Sequence, residues 1–206
     1  MVTAPTSMLA VMAHPDDPEL WAGATLAAGA AAGSTLTIVL PRHGDPRDTE
    51  AAASAATLGA TLTLMDDLTA SVLSSFLLEL RPEVLITHPS TDMHPDHRAI
   101  ARTVNAALPE AVIATGHPRR IYSCDSYNNL ARDGHPLHLP VIIDATEMWD
   151  TKMQALAAHA SQPIMNHLGP MAHTLGRLHG SRIGTTYAEA FAPLPVLGRL
   201  PAEPSL

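Results

Sequence analysis

Short apolar runs alternate with longer helical stretches along most of the chain. The short runs are nearly continuous in aliphatic and β-branched residues, which is typical of strands buried on both faces of a sheet. They predict strands at residues 8–13, 35–40, 61–65, 84–87, 120–123 and 140–143. The stretches between and after them, several rich in alanine, predict helices at residues 21–32, 48–58, 71–80, 94–108 and 146–160.

This alternation predicts an α/β fold, a Rossmann-like and mostly parallel sheet with helices on both faces. In such sheets the active site lies just beyond the carboxyl ends of the strands. Because no internal repeat or linker interrupts residues 1–206, we expect a single domain. Residues 192–206 contain four prolines and little periodicity, so we expect them to form a tail along the surface.

Composition and charge narrow the classes of function. Twenty acidic against twelve basic side chains give a formal net charge of −8, and only 3% of the residues are aromatic. Such a chain is a poor binder of a phosphate backbone, so nucleic acid is not expected as a partner. The single cysteine, Cys124, excludes an internal disulfide and fits a reducing compartment. Since no apolar run is long enough to span a bilayer, we expect a cytoplasmic protein without a membrane partner, and homo-oligomerisation stays open.

Two of the predicted strands are followed by loops rich in histidine and aspartate. Residues 14–17 read His-Pro-Asp-Asp after the first strand, and residues 94–97 read His-Pro-Asp-His after the fourth. Each segment holds two candidate ligands three residues apart, a spacing that puts both side chains on one side of a turn. Imidazole and carboxylate groups suit zinc, and three protein ligands with an open fourth position are the catalytic form of a zinc site.

Helix capping is the alternative explanation for each segment taken alone. Aspartate and proline are both common in the first turn of a helix, where the backbone N–H groups are unpaired. Two such segments at the ends of two strands of one sheet are harder to explain by capping. Together they favour a metal site built from two histidines and one aspartate.

These segments, with others along the chain, resemble the PIG-L/LmbE-type zinc-dependent N-deacetylases. The resemblance covers nearly the whole chain and rests on residues 13–17, 47–59, 94–97, 152–162 and 187–191. One departure is visible, because the family often has glutamate directly after the Asp pair, whereas this chain has Pro18 followed by Glu19. That position is not a metal ligand in the family, so the departure concerns the geometry of the loop.

The resemblance implies a set of roles for the two loops. His14, Asp17 and His97 would hold one Zn²⁺ per chain, with another divalent transition metal as the alternative. Asp16 would be the general base, and His94 the acid or electrophilic partner. These roles agree with the chemistry of amide hydrolysis, which needs an activated water and a stabilised oxyanion.

Weaker predictions concern residues around this set. Asp96 is expected to contact an imidazole and so to fix which of its two ring nitrogens carries the proton. Arg47 would bind a substrate hydroxyl or phosphate, or else pair with Glu50 on the surface. His159 would face the pocket or cap a helix, and Cys124 is expected in the core. The remaining histidines are expected on the surface or in loops: His43, His88, His117, His135, His138, His167, His173 and His179.

The expected function is removal of an acetyl or other acyl group from the amide nitrogen of an N-acetylated amino sugar, glycoside or related small molecule, in natural-product or thiol-cofactor biosynthesis. Two alternatives remain, an amidase acting on a thiol-conjugated amino sugar and a catalytically silent protein that binds metal or sugar. Asp16 and His94 favour an enzyme, because a binding protein has no use for an acid–base pair.

Overall fold

The computed structural model describes residues 4–200 of the 206-residue chain. The strands are β1 (Ser7–Val11), β2 (Thr35–Pro41), β3 (Thr61–Met65), β4 (Val84–Thr87), β5 (Arg120–Ser123), β6 (Val141–Asp144) and β7 (Ala188–Leu194). The helices are α1 (Asp17–Ala31), α2 (Arg47–Thr57), α3 (Ala70–Leu80), α4 (Pro95–Thr115), α5 (Trp149–Ala157), α6 (Ile164–His167) and α7 (Gly169–Ile183). A short 3₁₀ turn follows β5 at Tyr127–Asn129.

The seven strands form one sheet in the order β3-β2-β1-β4-β5-β7-β6. The first five strands in this order are parallel, and β7 and β6 pair antiparallel at one edge. The predicted fold class, a mostly parallel α/β sheet, is therefore confirmed. Val11 at the end of β1 pairs in register with Val39 and with Thr87, the last residue of β4. This register brings the two His/Asp-rich loops side by side at the carboxyl edge.

Alternate residues of β1 supply the two hydrophobic cores. Met8 and Ala10, with Met12 directly after the strand, face the core that the sheet forms with α1, α2, α5 and α7. Leu9 and Val11 face the core formed with α3 and α4. Because both faces are covered, the strand is apolar throughout, which is why its sequence does not alternate between apolar and polar residues. Each fully buried aliphatic side chain contributes about 1.5–3 kcal/mol to folding.

Two helices extend beyond the predicted bounds. Helix α1 begins at Asp17 rather than at residue 21, because Pro18 and the acidic first turn favour a helix N-terminus. Helix α4 continues through Pro109 to Thr115, although the sequence predicts its end at residue 108. Leu108 and Ala111 are both buried on either side of Pro109, so packing outweighs the backbone hydrogen bond that proline removes.

Helix α7 and strand β7 were not predicted from the sequence, and β7 overlaps the expected surface tail. The strand runs to Leu194, so residues 192–194 belong to the sheet rather than to a tail. Ala192 pairs with Ser123 and Leu194 with Ile121, so backbone pairing with β5 orders this segment. Residues 201–206 of the expected tail lie outside the described residues. Among residues 4–200, no helix has the length and apolar character needed to cross a membrane.

Candidate metal centre and active site

Donor atoms of three residues from the two loops converge at the carboxyl edge of the sheet. Nδ1 of His14 lies 3.1 Å from Oδ2 of Asp17 and 3.2 Å from Nε2 of His97. Nε2 of His97 lies 3.2 Å from Oδ1 of Asp17. In a tetrahedral zinc site with bonds of about 2.0–2.2 Å, neighbouring donor atoms are about 3.3–3.5 Å apart. The three residues are therefore arranged as the ligands of one small cation would be.

The carboxylate of Asp17 is buried and fully engaged by polar groups. Its Oδ2 accepts the backbone N–H of His14 at 2.7 Å, and its Oδ1 accepts the indole N–H of Trp21 at 3.1 Å. Burial favours the neutral acid, but the imidazoles of His88, His97 and His14 outweigh it and hold the pKa of Asp17 well below its usual value. Asp17 is thus an anion at neutral pH, as a metal ligand must be.

His97 is oriented by a second buried carboxylate. Its Nδ1 lies 3.1 Å from Oδ2 of Asp92, which leaves Nε2 directed at Asp17. Burial lowers the pKa of His97, but Asp17 and Asp92 outweigh it and raise the pKa to about 9. A cation bound at Nε2 would take the place of that proton.

The sequence assigned the orienting role to Asp96, whereas the structure divides it between two carboxylates. Asp96 is 66% exposed, and its Oδ2 lies 3.3 Å from Nε2 of His14. Asp92 is buried against His97 and was missed by sequence reasoning. Its Oδ1 also accepts the backbone N–H of His94, two residues further along, at 2.7 Å. Aspartate commonly makes this local hydrogen bond just before a helix, so the sequence did contain a signal for Asp92.

Asp16 lies beside the cluster, at the N-terminus of α1. Its side chain is largely buried, and burial together with the neighbouring charge of Asp17 raises its pKa. A raised pKa suits a carboxylate that must take up and release a proton during turnover. An Nη atom of Arg47 lies 3.4 Å from Oδ1 of Asp16. Of the two expectations for Arg47, the surface pair with Glu50 is not formed, because Glu50 binds the backbone N–H and hydroxyl of Ser161, each at 2.6 Å.

His94 stands at the other side of the cluster as the N-cap of α4. Its Nδ1 accepts the backbone N–H of Asp96 at 3.2 Å, so the neutral ring carries its proton on Nε2. Burial and the imidazoles of His14 and His97 lower the pKa of His94. Its ring centroid lies 4.7 Å from that of His14 and 4.9 Å from that of His97. His94 is therefore a neutral hydrogen-bond donor next to two candidate ligands.

His159 is buried against another carboxylate rather than exposed at a helix end. Helix α5 ends at Ala157, and Nε2 of His159 lies 3.5 Å from Oε2 of Glu19. The other oxygen of Glu19 accepts the hydroxyl of Ser54. Burial lowers the pKa of His159, but Glu19 and then Asp16 outweigh it and raise the pKa.

Two of the histidines expected on the surface or in loops are buried. His88 does lie in a loop, but His179 lies on helix α7, so the expectation is wrong for His179. His179 lies on α7 and places Nε2 at 2.6 Å from Oδ2 of Asp125. His88 follows β4 and stacks on His97, with ring centroids 3.8 Å apart and planes 10° apart. The burial of both depends on distant parts of the chain, since His179 is 54 positions from Asp125 and His88 is 75 positions from Ala13, whose backbone N–H its Nε2 accepts. The expectation of a buried Cys124 is confirmed.

Other groupings of the same residues fit a cation less well. His14, His94 and His97 have ligand atoms within 4.8 Å of one another, and so do Asp17, His88 and His97. However, Nδ1 of His94 already accepts a backbone N–H, and Nε2 of the neutral ring carries the proton. Neither nitrogen of His94 then has a lone pair free for a cation. The ring of His88 is nearly parallel to that of His97, so their in-plane lone pairs do not meet at one point. The donor chemistry therefore supports a metal ion held by His14, Asp17 and His97.

Several known proteins are similar to this chain in sequence or in fold. No protein-family profile matches the chain. A curated protein from Nakamurella multipartita, 1D-myo-inositol 2-acetamido-2-deoxy-alpha-D-glucopyranoside deacetylase, is 27% identical over 77% of this chain and 80% of its own length. A conserved protein from Thermus thermophilus has a solved structure that is 28% identical, with a TM-score of 0.78 and coverage of 95% of this chain and 96% of the other.

Two further solved structures share the fold. The 4-carboxy-2-hydroxymuconate hydratase of Pseudomonas putida is 21% identical, with a TM-score of 0.76 and coverage of 92% of this chain and 96% of its own. The N,N'-diacetylchitobiose deacetylase of Pyrococcus horikoshii is 19% identical, with a TM-score of 0.72 and coverage of 94% and 85%. At these identities the likeness concerns the fold alone. Sequence and fold together show that the chain is similar to the PIG-L/LmbE-type deacetylases, and the resemblance drawn from its motifs is confirmed.

Proposed function

We propose that this chain is a zinc-dependent N-deacetylase acting on an N-acetylated amino sugar, a glycoside of one, or a related small molecule. The observation that carries the proposal is the convergence of His14, Asp17 and His97 within 3.2 Å of one another, with Asp16 and His94 beside them. The Nakamurella relative is named for an acetamido sugar, which supports this substrate class. A cytoplasmic location and a small-molecule partner remain part of the proposal.

Zinc is the metal that the donor set favours. Two imidazole nitrogens and one carboxylate form a usual catalytic zinc set, and oxygen-rich sites would instead suit magnesium or calcium. Zinc, when bound, polarises an amide carbonyl and makes water easier to deprotonate. Other divalent transition metals bind similar ligands, so the metal is part of the test.

Asp16 is the general base in this proposal. Its carboxylate would accept a proton from the attacking water and later deliver it to the departing amine nitrogen. Its raised pKa brings the carboxyl closer to working pH than an exposed aspartate would be. The guanidinium of Arg47, 3.4 Å from Oδ1, would keep the carboxylate oriented and ionised, and its remaining N–H groups would bind a hydroxyl or phosphate of the substrate.

His94 stabilises the oxyanion in this proposal. Since Nδ1 accepts the N–H of Asp96, Nε2–H is free to donate to the oxygen that gains charge as the tetrahedral intermediate forms. A neutral imidazole suffices for this hydrogen bond, so protonation of His94 is not required. A His94→Ala chain should keep its metal and lose turnover.

The shared fold does not by itself select deacetylation, since a hydratase has it as well. The silent binding protein is disfavoured because Asp16 is buried next to a charged neighbour, an arrangement that costs stability and that a binding site does not need. The amidase of a thiol-conjugated amino sugar uses the same chemistry and differs only in the acyl group released.

A primary-amine release assay tests the proposal. Zinc-loaded protein would be incubated with N-acetylglucosamine, its inositol and other glycosides, its nucleotide-linked form, acylated antibiotic intermediates and thiol-conjugated amino sugars, with Asp16→Asn as the matched control. We expect amine from at least one acetylated sugar with wild type and far less with the control. Release only from thiol conjugates would select the amidase, and no release by protein that holds stoichiometric zinc would select the silent binding protein.

A further inference from the structure

His88 is a completely buried imidazole between the two ligand loops, and none of the roles described above uses it. It directly follows β4, and its Nε2 accepts the backbone N–H of Ala13 at 3.0 Å. Its ring stacks on that of His97, with centroids 3.8 Å apart. One side chain thus contacts the residue before His14 in one loop and the ligand His97 in the other.

The contacts of His88 fix its tautomer. A backbone amide can only donate, so Nε2 must be unprotonated where it accepts the N–H of Ala13. The proton of the neutral ring then lies on Nδ1, which is 4.0 Å from the sulfur of Cys124, a weak acceptor. Oδ2 of Asp17 lies 3.2 Å from the same Nε2, so His88 also contacts a proposed ligand directly.

The ring of His97 has two nearly parallel aromatic neighbours as well as a contact at its edge. His88 is stacked on one side at 10°, and Tyr127 is also nearly parallel, at 13° with centroids 5.8 Å apart. Asp92 contacts Nδ1 at the edge. Stacking sets the plane of the ring, and the carboxylate sets its rotation within that plane, so Nε2 points in one direction.

We propose that His88 is a positioning residue that holds the two ligand loops in register, so that His14, Asp17 and His97 are arranged for the metal before it binds. The inference rests on the proposed zinc site and extends it to a residue that is not itself a ligand. Loss of such an orienting partner typically weakens metal binding by about 10–100-fold, because the ligands must then be ordered by the metal.

The test compares substitutions that remove one or both contacts. His88→Leu removes the acceptor and the aromatic stack, His88→Phe keeps the stack, and His88→Gln keeps an acceptor. The matched control is His179→Gln, which alters a buried imidazole paired with Asp125. Two quantities would be measured on each purified chain: the Kd for Zn²⁺ by competition with a chromophoric chelator, and the visible absorption bands of the Co²⁺-substituted protein.

We expect His88→Leu to raise the Kd for Zn²⁺ by about 10–100-fold and to change the Co²⁺ bands. His88→Phe and His88→Gln should show smaller increases, and His179→Gln should match wild type in both measurements even where it lowers Tm. A merely structural role for His88 would lower Tm without moving the Co²⁺ bands.

Wild-type affinity and unchanged Co²⁺ bands in folded His88→Leu would overturn the inference. If His88→Leu does not fold, the same result in both His88→Phe and His88→Gln would overturn it. Because these measurements use metal alone, they are independent of catalysis. A wild-type chain that binds zinc but deacetylates nothing would contradict the proposed function. The Kd for Zn²⁺ and the Co²⁺ bands would still decide the role of His88 in that case.

Discussion

Oδ2 of Asp92 lies 3.1 Å from Nδ1 of His97, and both side chains are fully shielded from solvent. A carboxylate in this position fixes the imidazole in the tautomer whose Nε2 is free for a metal, and it makes that nitrogen more basic. The pair joins a loop residue to the first turn of α4 and completes the support of the proposed centre.

Replacing Asp92 should weaken the metal site without removing a ligand. We expect Asp92→Ala to raise the Kd for Zn²⁺ by about 10–100-fold, since His97 loses its orienting partner. Asp96→Ala is the matched control, because Asp96 is largely exposed and should have a smaller effect. Chelator competition measures both. The opposite order of effects would return the orienting role to Asp96.

Removing a proposed ligand should cost most of the metal. We expect wild-type protein to hold about one zinc per chain and His14→Ala or His97→Ala to lose most of it, because two ligands cannot match the affinity of a three-ligand site. Elemental analysis of purified protein measures the content, with exposed His135→Ala as the control. Undiminished zinc in both ligand variants would contradict the assignment.

The adjacent aspartates should separate binding from chemistry. We expect Asp16→Asn to keep zinc and to lower kcat by about 100-fold or more, the range for loss of a general base. Asp17→Asn should lose metal, because its carboxylate lies within 3.2 Å of both candidate histidine ligands. Metal loss in Asp16→Asn with retention in Asp17→Asn would show that the two roles are reversed.

The acid limb of the pH profile should report Asp16. A general base works only when ionised, so kcat/KM should rise with pH through the pKa of Asp16, which burial and Asp17 raise above the usual 3.8. Arg47→Gln removes a cation 3.4 Å from this carboxylate and should move the limb to higher pH. A limb that stays in place or moves to lower pH would exclude Asp16 as the titrating group.

A buried ion pair beneath the site should be important for stability. Nζ of Lys152, the only lysine in the chain, lies 2.7 Å from Oε1 of Glu189 and 2.9 Å from the carbonyl oxygen of Leu20. We expect Lys152→Met to lower the free energy of unfolding by about 3–5 kcal/mol, because the buried carboxylate of Glu189 loses its cation and keeps hydrogen bonds from the backbone N–H groups of Ala24 and Thr25.

Urea denaturation measures this loss, and an exposed ion pair provides the control. Arg42 and Asp66 lie 2.7 Å apart but are 49% and 83% exposed, so solvent screens the pair and Arg42→Met should cost much less than Lys152→Met. Equal losses in Lys152→Met and Arg42→Met would contradict the assigned importance of the buried pair.

Patterns in the sequence were enough to predict the fold class and the position of the candidate site. Apolar runs of strand length separated by helical stretches are local signals, and they suffice to predict a mostly parallel sheet. The segments at residues 14–17 and 94–97 directly follow two of the predicted strands, so the carboxyl-edge rule was enough to place them together. Their residue types then indicated a metal and an acid–base pair.

The residues that surround the candidate site could not be predicted in the same way, because tertiary packing selects them. Ala13 and His88 are 75 positions apart in the sequence and hydrogen-bond only because β1 and β4 pair in register. Arg47 likewise contacts Asp16 rather than Glu50, because the carboxylate of Glu50 accepts a hydrogen bond from Ser161 in a distant loop. Hydrophobic periodicity describes neighbours along one element, whereas these contacts depend on how separate elements pack. A histidine after a strand therefore looks the same in sequence whether it lies in solvent or is stacked on a proposed metal ligand.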